Sequence, residues 1–152
     1  MINAFFDTNV MLDAIDIARP QCNEAREALR LCNEGFEIYG YTCPMSLKDM
    51  FYILSRSSGK PNAFKAIEHL MGLLIVAPVS DEGCDMALRD GEPDFEDGLI
   101  RATAELEGMD YIITRDKDAF AGSSVRSVTA AEFVAAVSKG AAASWSSPAS
   151  AT

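Results

Sequence analysis

Four aspartates occupy positions where a predicted α/β fold would bring them together. Asp7 follows the apolar run 2–6, and Asp116 follows the apolar run that ends at residue 114. Asp49 and Asp97 lie near the starts of two predicted helices. Binding sites of open parallel sheets lie beyond the carboxyl ends of the strands, so helix starts facing that edge would add their carboxylates. Four carboxylates this close would repel one another, and bound Mg²⁺ or Mn²⁺, which prefer hard oxygen ligands, would relieve that repulsion. The metal could also activate a water molecule to attack a phosphodiester.

Each aspartate also has a purely structural interpretation. Asp7 and Asp116 could simply end strands and turn the chain. The other two could be the third residues of capping boxes that begin at Ser46 and Asp94. Residues 129–132 show the same capping pattern without any sign of chemistry. The spacing therefore leaves both interpretations open.

The composition gives little support to other kinds of catalytic site. A Ser-His-Asp or Cys-His mechanism would have to rest on the single histidine, His69, which lies in a helical stretch. The four cysteines form no C-x-x-C pair, so a zinc site of the usual spacing cannot be assembled. No glycine-rich phosphate loop is present in the sequence. Carboxylate chemistry remains.

The hydrophobic pattern predicts an α/β fold with a mostly parallel sheet, because short apolar runs alternate with helical patterns. Predicted strands cover residues 2–6, 36–43, 75–77, 111–114 and 124–128. Predicted helices cover residues 22–33, 46–55, 62–74, 80–88, 94–107 and 129–138, and residues 56–61 are predicted to form a loop.

The length of 152 residues suits one domain, which we assign to residues 1–138. Residues 139–152 are of low complexity, and we expect a disordered tail there. No apolar run approaches the roughly 18 residues of a membrane span, and the N-terminus lacks the features of a signal peptide. The expectation is a cytoplasmic protein without a membrane partner.

The net charge of −10 is unusual for a protein that binds nucleic acid, because such binding draws on Lys and Arg contacts to phosphate. The best basic candidates are Arg56, Lys60 and Lys65, although a solvated helix flank explains them as well. Any RNA would then be bound through few phosphate contacts and chosen largely by shape or single-strandedness.

Three motifs resemble those of PIN-domain ribonucleases, and together they span about residues 1–138 in the family's order. The run Phe5-Phe6-Asp7-Thr8-Asn9 is similar to the opening D-T-N signature. The stretch Asp94-Phe95-Glu96-Asp97 is similar to the second signature, and Thr114-Arg115-Asp116 followed by Asp118-Ala119-Phe120 is similar to the closing one. The resemblance implies a three-layer α/β/α fold with the sheet between helices.

The resemblance also implies roles for individual residues. Asp7, Asp97 and Asp116 match the metal-binding acids of the family. Asp49 matches a position where the family usually has Glu, and this shorter acid would act through water. Supporting positions match Thr8, Asn9, Asp94, Thr114 and Asp118. We expect Asp13, further along the first motif, to be an exposed helix residue.

The activity that the resemblance implies is hydrolysis of RNA by water activated on one or two Mg²⁺ or Mn²⁺ ions. Single-domain proteins of this kind are often toxins of the VapC type, which implies a cognate antitoxin and a homodimer as further partners. Two alternatives stay open: a catalytically silent interaction module, and a housekeeping RNA-processing nuclease. A phosphatase with an aspartyl nucleophile is disfavoured, because Asn9 stands where the general acid would be needed.

Overall fold

The computed structural model describes residues 1–91 and 94–145, with side chains described through residue 139. Its core is a sheet in which all neighbouring strands are parallel, in the order β3-β2-β1-β4-β5. The strands are β1 (Ile2–Phe6), β2 (Ile38–Thr42), β3 (Ile75–Val76), β4 (Tyr111–Ile113) and β5 (Arg126–Val128). This confirms the predicted α/β class.

Helices connect the strands. They are α1 (Thr8–Ile15), α2 (Cys22–Leu31), α3 (Pro44–Ser58), α4 (Lys60–Leu73), α5 (Asp81–Asp90), α6 (Phe95–Leu106) and α7 (Ala130–Trp145). A 3₁₀ turn, Lys117–Phe120, lies between β4 and β5. No helix in the described part of the chain is long and apolar enough to cross a membrane.

The central strand β1 separates two hydrophobic cores, because successive side chains of a strand point to opposite faces of the sheet. Phe6 packs in the core that is shared with α1, α2, α3, α4 and α7. Phe5 packs on the other face against Ile100 and Ala104 of α6. The sheet thus lies between two helical layers, which confirms the predicted three-layer fold.

The parallel arrangement brings the carboxyl ends of the strands to one edge. The backbone ladder continues past β1 and β4, since the Asp7 N–H donates to the Ile113 carbonyl at 3.0 Å and the Thr114 N–H donates to the Val128 carbonyl at 2.9 Å. Asp7 and Thr114 are therefore fixed side by side although 107 positions separate them in the sequence.

Two sequence predictions about local structure were wrong. The predicted loop 56–61 is reduced to Gly59, whose φ of +83° separates helix α3 from helix α4. Pro61 lies in the first turn of α4, where its missing N–H leaves no hydrogen bond unmade. The last helix continues to Trp145, so the predicted disordered tail is helical up to that point; this stretch is rich in alanine, the strongest helix former. Residues 146–152 lie outside the described residues.

Candidate functional site

Asp7 is the buried centre of the site, with only 8% of its surface exposed. It caps α1, and its Oδ1 accepts a hydrogen bond from the Thr8 N–H at 2.8 Å. Its Oδ2 accepts one from the Thr114 hydroxyl at 2.8 Å and one from the Asn9 amide at 3.3 Å. Both carboxylate oxygens are therefore held in fixed directions.

Asp116 is joined to Asp7 through the buried hydroxyl of Thr114. That hydroxyl donates to Asp7 and accepts a hydrogen bond of 3.0 Å from the Asp116 N–H. Asp116 is exposed and caps the 3₁₀ turn, where its Oδ1 accepts from the Ala119 N–H at 3.3 Å. A single threonine thus sets the position of one acid relative to the other.

Asp97 enters the site from the first turn of α6. Its N–H donates to Asp94 Oδ1 at 2.8 Å, so the prediction that Asp94 caps this helix is confirmed. The helix is held close to α5 by Gly98, since a Cβ there would lie 3.1 Å from the Cβ of Ala87. Close packing of two helices therefore determines where the Asp97 carboxylate lies.

The electrostatics show that the three acids share one region of space. Burial first, and then the charges of Asp94, Asp7 and Asp116, together raise the pKa of Asp97 from 3.8 to about 6. Burial also raises the pKa of Asp7, and the Asp116 charge adds to this, while the hydrogen bonds from Thr114 and Thr8 oppose it. Neutralising one acid, or adding a cation, would relieve this strain.

Asp49 lies in the second turn of α3 rather than in a cap. The helix begins at Pro44 after Cys43, so the capping interpretation of Asp49 was wrong. The Asp49 carboxylate forms an ion pair of 2.9 Å with Lys48 and contacts Glu96. A hydrogen bond with Asp49 and burial raise the pKa of Glu96 to about 7, with smaller contributions from other acids.

Sequence reasoning missed Glu96 as a member of the site. The structure places it next to Asp49, and the hydrogen bond with Asp49 is the largest cause of the raised Glu96 pKa. The only signal in the sequence was its position between Asp94 and Asp97, and this says nothing about a contact with α3.

Four predicted residues lie away from this group of acids. Asp118 is exposed in the 3₁₀ turn and lines a separate cleft with Arg126. Arg56 stacks over the Tyr52 ring, 5.4 Å from its centroid, near the end of α3. Lys60 and Lys65 are exposed on α4. Within the part of the chain with described side chains, none of the four forms a hydrogen bond or ion pair with the acids.

Asp13 was expected to be exposed and is 1% exposed, so that expectation was wrong. Its Oδ2 lies 2.8 Å from Arg115 Nε, and its Oδ1 accepts a hydrogen bond of 3.4 Å from Arg19. The helical position alone did not reveal this, because Arg115 comes from a loop that only the sheet topology brings to α1.

The donors fit a hard divalent cation in their chemistry. All are carboxylate or hydroxyl oxygens, and the buried Thr8 hydroxyl has no hydrogen-bond partner among the described residues. Among those same residues, no three Asp, Glu, His or Cys side chains are arranged so that they could hold a metal by themselves. The set therefore suits Mg²⁺, which is usually bound by one or two carboxylates and completed by water.

Comparison with known proteins agrees with this architecture. A family model described as PIN domain matches residues 3–118. A search of curated protein sequences found no significant match. Similar folds occur in solved structures, among them the three that follow.

Three of these structures are toxins or toxin–antitoxin complexes. The VapC20 toxin of Mycobacterium tuberculosis, which cleaves the sarcin–ricin loop, is 17% identical, with a TM-score of 0.63 over 79% of this chain and 95% of that one. VapBC2 of Rickettsia felis bound to promoter DNA is 15% identical, with a TM-score of 0.68 over 84% of this chain and 98% of that one. A toxin–antitoxin complex of Klebsiella pneumoniae is 21% identical, with a TM-score of 0.63 over 84% of this chain and 97% of that one. At these identities the likeness shows a shared fold.

Proposed function

Since the chain belongs to the PIN-domain family, we propose that it is a ribonuclease that hydrolyses RNA phosphodiester bonds with the help of Mg²⁺ or Mn²⁺. The observation that carries the proposal is the meeting of Asp7, Asp97 and Asp116 from three distant segments, since the charge of Asp116 raises the pKa of both Asp7 and Asp97. Acids kept this close, at a cost in charge repulsion, are typical of functional sites.

Asp7, Asp97 and Asp116 would hold the metal together with water molecules, and the residues around them would keep these ligands in place. A bound metal of this kind lowers the pKa of water and stabilises a leaving oxygen. Thr114 holds the Asp7 carboxylate and the Asp116 backbone in one geometry. Thr8 and Asn9 supply further donors to Asp7, and Asp94 holds the first turn of α6.

Asp49 and Glu96 form a second acidic pair at the side of the site. With a pKa of about 7, Glu96 exchanges its proton near neutral pH, and Asp49 is the partner that raises it. We assign Asp49 the role of an outer acid that acts through water, with Glu96 beside it. Asp118 is exposed at a separate cleft, and we assign it only a supporting role in the 3₁₀ turn.

The biological role we propose is that of a toxin in a toxin–antitoxin pair. The support is the shared fold with VapC20 and with the VapBC and Klebsiella complexes. A surface of net charge −10 suits an antitoxin that presents basic side chains near the acidic site. An RNA substrate and an antitoxin would place the protein in the cytoplasm. A homodimer is part of the same proposal.

The experiment that tests the proposal is a calorimetric titration with Mn²⁺, combined with an RNA cleavage assay on the same samples. Wild type is compared with Asp7→Asn and with Asp85→Asn, a control that neutralises an exposed acid on α5. We expect Asp7→Asn to lose metal binding and cleavage together, and Asp85→Asn to keep both. A wild type that binds no Mn²⁺ would refute the catalytic proposal and leave an interaction module.

A further inference from the structure

Arg115 is a positive charge at the edge of an acidic site. It stands between Thr114 and Asp116, and its N–H donates to Asn9 Oδ1 at 3.2 Å. Its charge lowers the pKa of Asp7 against the effect of burial, which shows that the guanidinium lies within electrostatic reach of the site. Neither composition nor motif spacing drew attention to this residue.

A buried acid holds the guanidinium of Arg115 from one side. Asp13 Oδ2 lies 2.8 Å from Nε, and the Asp13 side chain is 2% exposed while the Arg115 side chain is 41% exposed. The two terminal nitrogens of Arg115 form no hydrogen bond with any described residue. A guanidinium held at Nε with its outer edge exposed can donate two parallel hydrogen bonds, the geometry that suits a phosphate.

A cleft of about 510 Å³ opens beside Arg115, within the size range of small-ligand sites. Asp13 and Glu24 line it, as do Thr129, Ala130 and Ala131 at the start of α7. The positive end of the α7 dipole thus lies on the same cleft as Arg115. Because Arg115 directly precedes Asp116 in the chain, this cleft adjoins the acidic site.

We propose that Arg115 binds a phosphate of the RNA strand next to the bond that is cut, and that buried Asp13 is a positioning residue that orients the guanidinium. The inference rests on the proposed ribonuclease function and deepens it. It also differs from the sequence-based assignment to Arg56, Lys60 and Lys65. These lie along the α3–α4 hairpin, and among the described side chains they form no hydrogen bond or ion pair with the acids. Arg115 adjoins the acids directly, so it is the better-placed phosphate ligand.

The test measures RNA binding and cleavage separately. Binding of a labelled single-stranded RNA is followed by anisotropy in an Asp7→Asn background, and steady-state cleavage with Mn²⁺ gives KM and kcat in the wild-type background. The variants are Arg115→Ala, Arg115→Lys and Asp13→Asn. The matched control is Arg126→Ala, an exposed arginine at the start of β5, away from the carboxyl edge of the sheet. Circular dichroism melts verify that each variant is folded.

We expect Arg115→Ala to weaken RNA binding and raise KM about tenfold to a hundredfold, the range for a lost hydrogen bond to a charged group. The slope of log affinity against log salt should fall by about 0.7, since one phosphate contact to a single strand disappears. Arg115→Lys should keep that slope with intermediate affinity, because charge remains without the planar fork. Asp13→Asn should also keep the slope and weaken binding less than Arg115→Ala.

Four results would overturn the inference. Unchanged RNA affinity and KM with a reduced kcat in Arg115→Ala would mean that the arginine only braces the Asp116 loop. An equal effect of Arg126→Ala would mean that any surface charge suffices. A wild type that binds Mn²⁺ but neither binds nor cleaves RNA would overturn the proposed function as well. Normal wild-type cleavage, with RNA affinity, KM and kcat all unchanged in Arg115→Ala, would overturn this inference alone.

Discussion

Replacing Asp97 by Asn should stabilise the metal-free protein, because the Asp97 carboxylate is ionised at a cost. Its pKa rises from 3.8 to about 6, mainly through burial and the charges of neighbouring acids. That rise corresponds to a ceiling of about 3 kcal/mol for the ionised form. The carboxylate is partly open to solvent, which screens its charge, so we expect a gain of about 1 kcal/mol in the free energy of unfolding at neutral pH.

The sign of the pH dependence follows from the raised pKa. Below the unfolded pKa, Asp97 is protonated in both states and imposes no penalty. As the pH rises from 3.8 to about 6, the unfolded state releases the Asp97 proton while the folded state still holds it, so the wild type loses stability. The variant does not, and its advantage should therefore be near zero at about pH 4 and complete above about pH 7.

Urea denaturation in EDTA at several pH values measures the difference in stability between wild type and Asp97→Asn. The control is Asp85→Asn, at an exposed position of α5. A saturating metal should reverse the order, because a ligand at about 100 times its Kd adds about 2.7 kcal/mol to whichever protein binds it. An Asp97→Asn protein that is less stable than wild type in EDTA at neutral pH would refute the reasoning. So would an advantage that does not change with pH.

Thr114→Val should destabilise the protein by about 2–4 kcal/mol, since its hydroxyl bonds the Asp7 carboxylate at 2.8 Å and accepts the Asp116 N–H at 3.0 Å. Thr114→Ser keeps both hydrogen bonds, so in urea denaturation it should retain most of the stability that Thr114→Val loses. An equal loss of stability in both variants would contradict the role of the hydroxyl. Gly98→Ala should separate α5 from α6, because the new Cβ would lie 3.1 Å from that of Ala87, and should cost about 1–3 kcal/mol. It should also weaken Mn²⁺ binding in calorimetry, and normal binding would show that Asp97 is not positioned by this contact.

The site combines groups that favour opposite protonation states. Burial and mutual repulsion favour protonated Asp7 and Asp97, while Thr114, Thr8 and Arg115 favour the ionised form of Asp7. The hydrogen bonds from Thr8, Asn9 and Thr114 hold both oxygens of the Asp7 carboxylate in fixed directions. In the proposed function, these hydrogen bonds would hold the group of acids ready for a metal at a modest cost in stability.

The sequence by itself determined the elements and their order. Apolar runs that stop at a polar residue located β1 and β4, and alternation with helical patterns indicated a parallel sheet. Because parallel strands end at one edge, Asp7 and Asp116 could be assigned to a common site from the chain alone. These inferences succeed because each depends on periodicity over a few residues or on a rule of topology.

The tertiary structure decided the contacts between side chains from distant segments. Asp13 resembled an exposed helical residue until the β4 loop brought Arg115 to it, and Glu96 became a partner of Asp49 only when α6 packed near α3. The Thr114 hydroxyl that joins Asp7 to Asp116 is a contact of the same kind. Burial and charge at such places depend on which segments meet in space, and local sequence patterns carry no record of that meeting.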